Sequence, residues 1–337
     1  MLRAVARNGP NTTSILLSGY ADEQAIQTGL AATHHFLMKP CSDQEVIHAI
    51  ERGLILRNYL RDPQLINILY RMPAELVWPP VFYRLHAILQ YKGPHSQNEL
   101  QEFSFENPGF IMLVCEMARR EKLILPTEGP DLVTLIDLFG LETIKALCVI
   151  WTLHGQQTRF DPDNIDQPID RCLILGNMAA GIAKLEGMPS ETIDLIRAAA
   201  LLCHIGLNVM EHVIPDQVAL SRKQADDDQC DIISTEIGEI GVSHPAVSAC
   251  LAALWGFKHE IVENIAFHHR PEAAPTRDSL SLLIVYAAQH FARKFGNERH
   301  IRAAKYDRAS GFIAHCDAQQ KWANWERHCA PLGDNQA

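Results

Sequence analysis

The chain has 337 residues, of which 47% are hydrophobic and 21% are charged, and its formal net charge is -10 at pH 7. This composition is typical of a globular protein and excludes a largely disordered chain. The negative charge argues against a broad non-specific surface for nucleic acid or anionic lipid, because both need a basic face. The length is sufficient for two domains.

Cysteine usage and hydropathy indicate a reducing compartment. The nine cysteines lie far apart, form no CxxC pair and mostly occupy apolar helical patterns, as small buried hydrophobic residues do. Their odd number favours free thiols. No apolar run approaches the roughly 20 residues that a membrane-spanning helix needs. We therefore predict a cytoplasmic protein without a membrane span.

The first 61 residues have the pattern of alternating strands and helices. Ser14–Ser18 is a short apolar run of the kind that forms a buried parallel strand. Ala21–Leu30 predicts a short helix, and Phe36–Met38 a second strand that ends at Pro40. Ser42 then begins a capping box and an amphipathic helix. Two strands are too few for a doubly wound sheet, so we expect the other half of this α/β unit to lie upstream.

The order Ser18-Gly19-Tyr20 and then Phe36-Leu37-Met38-Lys39-Pro40 resembles the second half of a response-regulator receiver domain, which has a flavodoxin-like fold. The resemblance implies that Ser18 and Lys39 contact a phosphoryl group and that Phe36 is the switch side chain. The family's phosphoacceptor aspartate belongs to the missing half, so the chain as given is not expected to be phosphorylated in the family's way. The alternatives are a late start at Met1, a genuine remnant, or a strand end and turn that match by chance.

From Asp62 onward the pattern predicts only helices. Residues 62–72 are interpreted as a linker, and helices are predicted to begin at Pro80 and Pro108. The stretch Ile193–Met210 is apolar on nearly every face and predicts the central helix of a bundle. The three aspartates at 226–228 predict an exposed loop.

Several segments in order resemble the HDOD module, a signalling relative of the HD-type phosphohydrolases. They are the helix turn Leu135–Leu141, the segment Leu201–Val209, the segment Glu239–Phe257, and His268-His269-Arg270-Pro271. The resemblance implies a mainly α protein in which an all-α HD-like bundle at residues 73–271 follows the partial α/β segment. Residues 272–337 are then a helical extension, whose Trp322 and Trp325 predict a docking helix.

The resemblance also implies a metal site that has lost most of its ligands. HD hydrolases hold their ions with an early histidine, an adjacent His-Asp pair and a distant aspartate. Here Arg171 lies near the early position, Ile205 follows His204, and Gln289 lies near the distant aspartate. An alkyl side chain cannot bridge metal ions or hold a hydroxide, and an arginine repels a cation. The predicted vestigial pocket contains Arg171, His204, Ile205, His244, His268, His269 and Gln289.

These features favour a non-catalytic output module of a two-component response regulator, with no catalytic residue, metal or cofactor. The expected partners are signalling proteins, such as an upstream kinase or a diguanylate-signalling or regulatory protein, and neither nucleic acid nor a membrane. One alternative is a divergent metal-dependent phosphohydrolase acting on a nucleotide or cyclic dinucleotide. A second is a degenerate protein with neither activity. A histidine-only site that takes adventitious zinc is weaker than the interpretation of these histidines as polar core residues.

Overall fold

The computed structural model describes residues 15–18, 35–38, 46, 62–73, 77, 79–90, 96–126, 129–155, 167–228, 230–276, 279–295, 310–316 and 318–333. Strands β1 (Ile15–Ser18) and β2 (His35–Met38) pair in parallel, with Ser18 opposite Met38. Both predicted strands are confirmed. Lys39 and the helices predicted around them lie outside the described residues, except that Val46 is helical. A parallel pair of this length is common to many α/β folds, so the receiver domain stays a prediction.

Everything described beyond residue 61 is helical or irregular, which confirms the mainly α expectation. The first helices are α1 (Pro63–Arg71), α2 (Pro80–Gln90), α3 (Ser96–Glu106), α4 (Pro108–Arg120), α5 (Leu132–Phe139) and α6 (Leu141–Ile150), with a π-helical turn at Trp151–Gly155. The middle helices are α7 (Gln167–Leu185), α8 (Ser190–Leu202), α9 (Ile205–Val213), α10 (Pro215–Asp227) and α11 (Ile232–Glu239). The last are α12 (His244–Leu254), α13 (His259–Phe267), α14 (Leu280–Phe295), α15 (Ser310–His315) and α16 (Gln319–Gly333), with a 3₁₀ turn at Pro271–Ala273. The three aspartates are exposed as expected, although Asp226 and Asp227 belong to the last turn of α10 and not to a loop.

Helix α8 is the centre of the bundle and packs against α6, α7, α13 and α14. The predicted central helix therefore has the expected position, but it is not continuous. It breaks at Cys203 and His204, where the His204 backbone has φ -104° and ψ 6°, and α9 begins with Ile205. The stretch Ser190–Val213 is long and apolar enough to span a membrane, contrary to our expectation from the sequence. Since 83% of its apolar 18-residue window is buried inside the protein, the stretch is a core element.

The segment interpreted as a linker is a packed helix. Asp62 caps α1 by accepting hydrogen bonds from the backbone N–H groups of Gln64 and Leu65. Leu65 and Ile68 are almost fully buried in the main hydrophobic core. The Asp62-Pro63 pair is a helix-start signal that could have revealed α1 from the sequence.

The C-terminal part belongs to the same bundle. Helix α14 packs on α7, α8 and α13. Helix α16 packs on α7 and α14. Trp322 and Trp325 are buried, and Trp325 Nε1 donates to Glu186 Oε1 at 2.8 Å. Lys321 adds an ion pair of 2.6 Å with Glu186. The predicted docking helix is thus confirmed, and its apolar anchor is a pair of tryptophans.

Buried Asp194 on α8 joins α8 to α6, so its loss is expected to be costly. Its carboxylate accepts from the backbone N–H groups of Glu142 at 3.1 Å and Thr143 at 2.7 Å, and from Thr143 Oγ1 at 2.7 Å. Burial raises the pKa of Asp194 despite these bonds. We expect Asp194→Ala to lower the free energy of unfolding by about 2–3 kcal/mol, because buried N–H groups lose their acceptor.

The matched control is Asp131→Ala, since Asp131 caps α5 through Thr134 N at 2.7 Å in an exposed position where water can replace it. That variant should lose about 1 kcal/mol in the same urea titration. Equal losses at the two positions would contradict the role given to burial.

Candidate functional site

Four histidines from three regions of the fold meet inside the bundle. His204 lies at the break between α8 and α9, His244 is the first residue of α12, and His268 and His269 follow α13. Each side chain offers a nitrogen to the cluster, and these nitrogens all lie within 4.8 Å of one another. All four residues are buried, with at most 8% of any one exposed. The structure therefore brings together the histidines of the predicted pocket.

Two of the histidines have their tautomer set by a partner on Nδ1. Both carboxylate oxygens of Glu236, on α11, lie 2.9 Å from His244 Nδ1, and Glu236 Oε2 also accepts from His244 N at 2.8 Å. His268 Nδ1 lies 2.7 Å from the backbone oxygen of Ile265. A carbonyl or carboxylate oxygen can only accept, so each Nδ1 carries the proton. The lone pair of each neutral ring is then on Nε2.

The Nε2 atoms face one another and Gln289 of α14. His269 Nε2 is 3.1 Å from His244 Nε2, and Gln289 Nε2 is 3.0 Å from His269 Nε2 and 3.3 Å from His204 Nε2. His268 Nε2 and Gln289 Oε1 are buried and have no hydrogen-bond partner among the described residues. Buried polar atoms in proteins are normally satisfied, so the cluster has two atoms that could still contact a further group.

Three of the four histidines are held neutral. Burial lowers the pKa of His204, His268 and His269 well below the ordinary value, and the charges of Arg171 and of the neighbouring rings lower the pKa of His204 further. Neutral imidazole is the form that can donate a lone pair to a ligand. Burial also raises the pKa of the Cys203 thiol, whose sulfur is 3.1 Å from His204 Nδ1, so this cysteine is not a reactive thiolate.

The pocket lacks the carboxylates of an HD hydrolase. Ile205, which the resemblance places at the family's aspartate position, is fully buried within the hydrophobic core. Within the described part of the chain, the group of side chains that could hold an ion contains the four histidines and no aspartate or glutamate. Glu236 is nearby but points its oxygens at His244 Nδ1, on the outer side of that ring.

Glu236 is the residue that our sequence analysis missed. It precedes His244 by eight residues in the chain and reaches it only because α11 and α12 meet at an angle of 82°. A glutamate at a buried position of a helix would have been the signal, since such a group normally has a partner. Its bond to His244 replaces our interpretation of that histidine as an ordinary core residue bound to a backbone carbonyl.

A glycine fixes the spacing between two of the histidines. Gly206 N donates to Ser248 Oγ at 2.8 Å, and Ser248 Oγ donates to the backbone oxygen of Cys203 at 2.8 Å. These bonds join the start of α9 to α12. As a result, the rings of His204 and His244 stack with their centroids 5.3 Å apart.

The comparisons with known proteins agree with this fold. Residues 131–271 match the HDOD domain family. A candidate phosphohydrolase from Shewanella amazonensis SB2B has 16% identity and a TM-score of 0.53, over 82% of this chain and 99% of its own. An HDOD domain protein of unknown function from Geobacter sulfurreducens has 16% identity and a TM-score of 0.51, over 75% of this chain and 92% of its own.

A candidate signal transduction protein from Marinobacter aquaeolei VT8 has 16% identity and a TM-score of 0.54, over 82% of this chain and 65% of its own. No curated protein matches the chain. At this identity the three structures establish the fold and carry no residue-level function. Residues 131–271 therefore match the HDOD domain family, and the helical bundle around them has the fold of these three proteins.

Proposed function

We propose that the chain is a non-catalytic signal-transduction module. Its histidine pocket, which corresponds to the metal site of the HD hydrolases, would have a structural or sensory role. The observation that carries this proposal is the ligand set: four buried histidines and Gln289, with Ile205 in place of the aspartate. Two-metal hydrolysis needs anionic ligands that bridge the ions and a metal-bound water made acidic enough to attack. A neutral cluster of imidazoles does not supply bridging anions.

The arrangement of the chain supports a role as an output module in the cytoplasm. The paired strands β1 and β2 carry the receiver-like residues Ser18 and Phe36, with Lys39 directly after them in the sequence. A receiver unit upstream would supply the input, and the helical bundle would pass it to another protein. The partner would be a signalling protein, such as a kinase or a diguanylate-signalling protein. The net charge of -10 does not favour nucleic acid as the partner.

A metal-dependent phosphohydrolase is the second candidate, and one observation favours it. Glu236 orients His244 through Nδ1, which is the kind of outer support that catalytic metal sites use. A candidate phosphohydrolase is also among the proteins that share the fold. The missing carboxylates weigh against this function more heavily, because an orienting glutamate supports structural metal sites as well.

Hydrolysis measurements on the whole chain would separate the two functions. The substrates would be a chromogenic phosphodiester, nucleotides and cyclic dinucleotides, each with added manganese, iron or zinc. We expect no turnover above that of His204→Ala, in which the adjacent pair of the HD motif is removed entirely. Turnover that is present in the natural chain and absent from His204→Ala would overturn the proposal and establish the hydrolase.

A further inference from the structure

We propose that the pocket binds one divalent transition-metal ion of the zinc class through the Nε2 atoms of His204, His244, His268 and His269. This inference names the occupant of the pocket to which we have assigned a non-catalytic function, and it rests on that function only in giving the ion no hydrolytic role. It departs from our expectation from the sequence that the pocket holds no metal.

The first argument is the direction of the lone pairs. Glu236 and the Ile265 carbonyl accept hydrogen bonds from the Nδ1–H groups of His244 and His268. Both Nε2 lone pairs are then directed into the cluster. Metal-binding histidines in proteins almost always donate their other N–H to a carboxylate or a backbone carbonyl, because this fixes the ring and makes it more basic. Both kinds of support occur here, on two different rings.

The second argument is what the protein leaves unsatisfied. His268 is fully buried, and its Nε2 has no hydrogen-bond donor among the described residues. Gln289 Nε2 contacts the Nε2 atoms of His204 and His269 together, while Gln289 Oε1 is buried without a partner in the described part of the chain. The lone pair of His268 Nε2 is therefore left without a donor, and a cation held by the cluster would satisfy it.

The third argument selects the ion. Mg²⁺ and Ca²⁺ bind oxygen ligands, whereas imidazole suits zinc, copper and nickel. A tetrahedral zinc site with Zn–N bonds of about 2.0–2.1 Å places its nitrogens about 3.3 Å apart. The His244 and His269 Nε2 atoms are already 3.1 Å apart, and all the cluster nitrogens are within 4.8 Å. A cluster this small, without a bridging carboxylate, has room for one ion and not for a two-metal centre.

The fourth argument is electrostatic. The positive charges of Arg171 and Arg293 act on the cluster, so they oppose a cation there. The carboxylate of Glu236 against His244 counters them in part. An ion held mainly by its charge would therefore bind weakly here. An ion that gains from imidazole donation, as zinc does, can still bind, which again separates zinc from magnesium.

A bound ion would join three parts of the bundle. His204 directly precedes α9, His244 begins α12, and His268 and His269 follow α13. Coordination would hold these helix ends together and remove the conformations in which they separate. We therefore expect loading to stabilise the protein, with metal occupancy setting how rigid the module is.

The test uses the full chain without a polyhistidine tag, stripped with a chelator and titrated with Zn²⁺, Co²⁺ or Mg²⁺ alone. We expect one equivalent of Zn²⁺, an intense visible Co²⁺ spectrum of tetrahedral nitrogen ligands without sulfur-to-metal charge transfer, and a higher melting temperature with Zn²⁺ but not with Mg²⁺. Failure of the natural chain to bind one equivalent would overturn the inference, whatever the variants do.

Three variants test which residues form the metal site. His268→Gln removes a ligand and should abolish the tetrahedral Co²⁺ spectrum. Glu236→Gln keeps the four ligands and should weaken Zn²⁺ binding about 10–100-fold, as the loss of an orienting group does elsewhere. His259→Ala is the matched control, because His259 lies on α13 but its side chain is 62% exposed. It should bind Zn²⁺ like the natural chain.

The outcomes are distinct from those of the hydrolysis test. Equal loss of binding in His268→Gln and His259→Ala would mean that an adventitious surface ion had been measured, and would overturn the inference. Zinc binding without turnover supports both proposals. Zinc binding with turnover overturns the non-catalytic function and supports the metal site. The absence of both binding and turnover overturns the metal site and supports the non-catalytic function.

Discussion

Gly206→Ala is expected to lower the free energy of unfolding by about 3 kcal/mol, because the new methyl group has no space. A Cβ at this position would lie 2.4 Å from the His244 backbone oxygen, 2.5 Å from Ser248 N and 2.8 Å from Ser248 Oγ. Two of these atoms belong to the backbone of α12 and cannot rotate away. The start of α9 would have to move off α12, and the hydrogen bond from Gly206 N to Ser248 Oγ would be lost. Urea denaturation followed by circular dichroism would measure the change.

The matched control is Gly238→Ala on α11. Gly238 is exposed, and a Cβ there meets nothing within 4 Å. Alanine in a helix should stabilise the protein by up to about 1 kcal/mol relative to glycine, so the two substitutions have opposite expected signs. Gly206→Ala should also weaken Zn²⁺ binding, since it separates His204 from His244, whereas Gly238→Ala should not. A similar stability for both variants would show that α9 and α12 are not closely packed at Gly206.

Sequence patterns predicted the helices well, because a helix with one buried face has a clear hydrophobic period in its sequence. Helices α2 and α4 begin at the predicted prolines, and Phe110 and Leu113 of α4 are fully buried as the pattern required. The short apolar runs also predicted the two strands β1 and β2. The resemblance also selected the residues that meet in the pocket, because motif order along a chain is preserved when a fold is preserved.

The break in the central helix could not be predicted in this way. The stretch from Ile193 to Met210 is apolar on both sides of the break, so no change of period marks it. Gly206 is the residue that permits the break to pack closely, but a lone glycine within a helix is a weak signal. The break has a direct consequence for the site, because it puts His204 at a helix start and not in the middle of a helix.

The hydrogen bonds that orient the histidines of the pocket could not be predicted from the sequence either. Glu236 and His244 meet across the turn between α11 and α12, and the carbonyl of Ile265 meets His268 by a local turn at the end of α13. Contacts of this kind depend on backbone direction, which a one-dimensional pattern does not contain. The resemblance alone identified the four histidines as a group, and their orientation became visible only with these contacts.

One of the three departures that the resemblance implies, Ile205 where an aspartate is expected, can be reversed, and the result should be a large loss of stability. Ile205→Asp is expected to lower the free energy of unfolding of the metal-free protein by about 3–5 kcal/mol at pH 8. Ile205 is fully buried in the hydrophobic core, so the new carboxylate would be desolvated. Its pKa would be raised in the folded state, so the loss should grow as pH rises through the range between the unfolded and folded pKa values.

Two control variants isolate the charge as the cause. Ile205→Leu keeps the apolar volume and should lose less than about 1.5 kcal/mol, and Ile205→Asn has the size of aspartate without its charge, so its loss should not depend on pH in this way. If aspartate and asparagine behave alike at every pH, the carboxylate is solvated and Ile205 is not part of a dry core. If added Mn²⁺ or Zn²⁺ restores the stability of Ile205→Asp but not of Ile205→Asn, the carboxylate reaches the ion beside His204. Isoleucine at this position would then be one of the changes that remove anionic ligands from the pocket, and the one that keeps the start of α9 packed in the core.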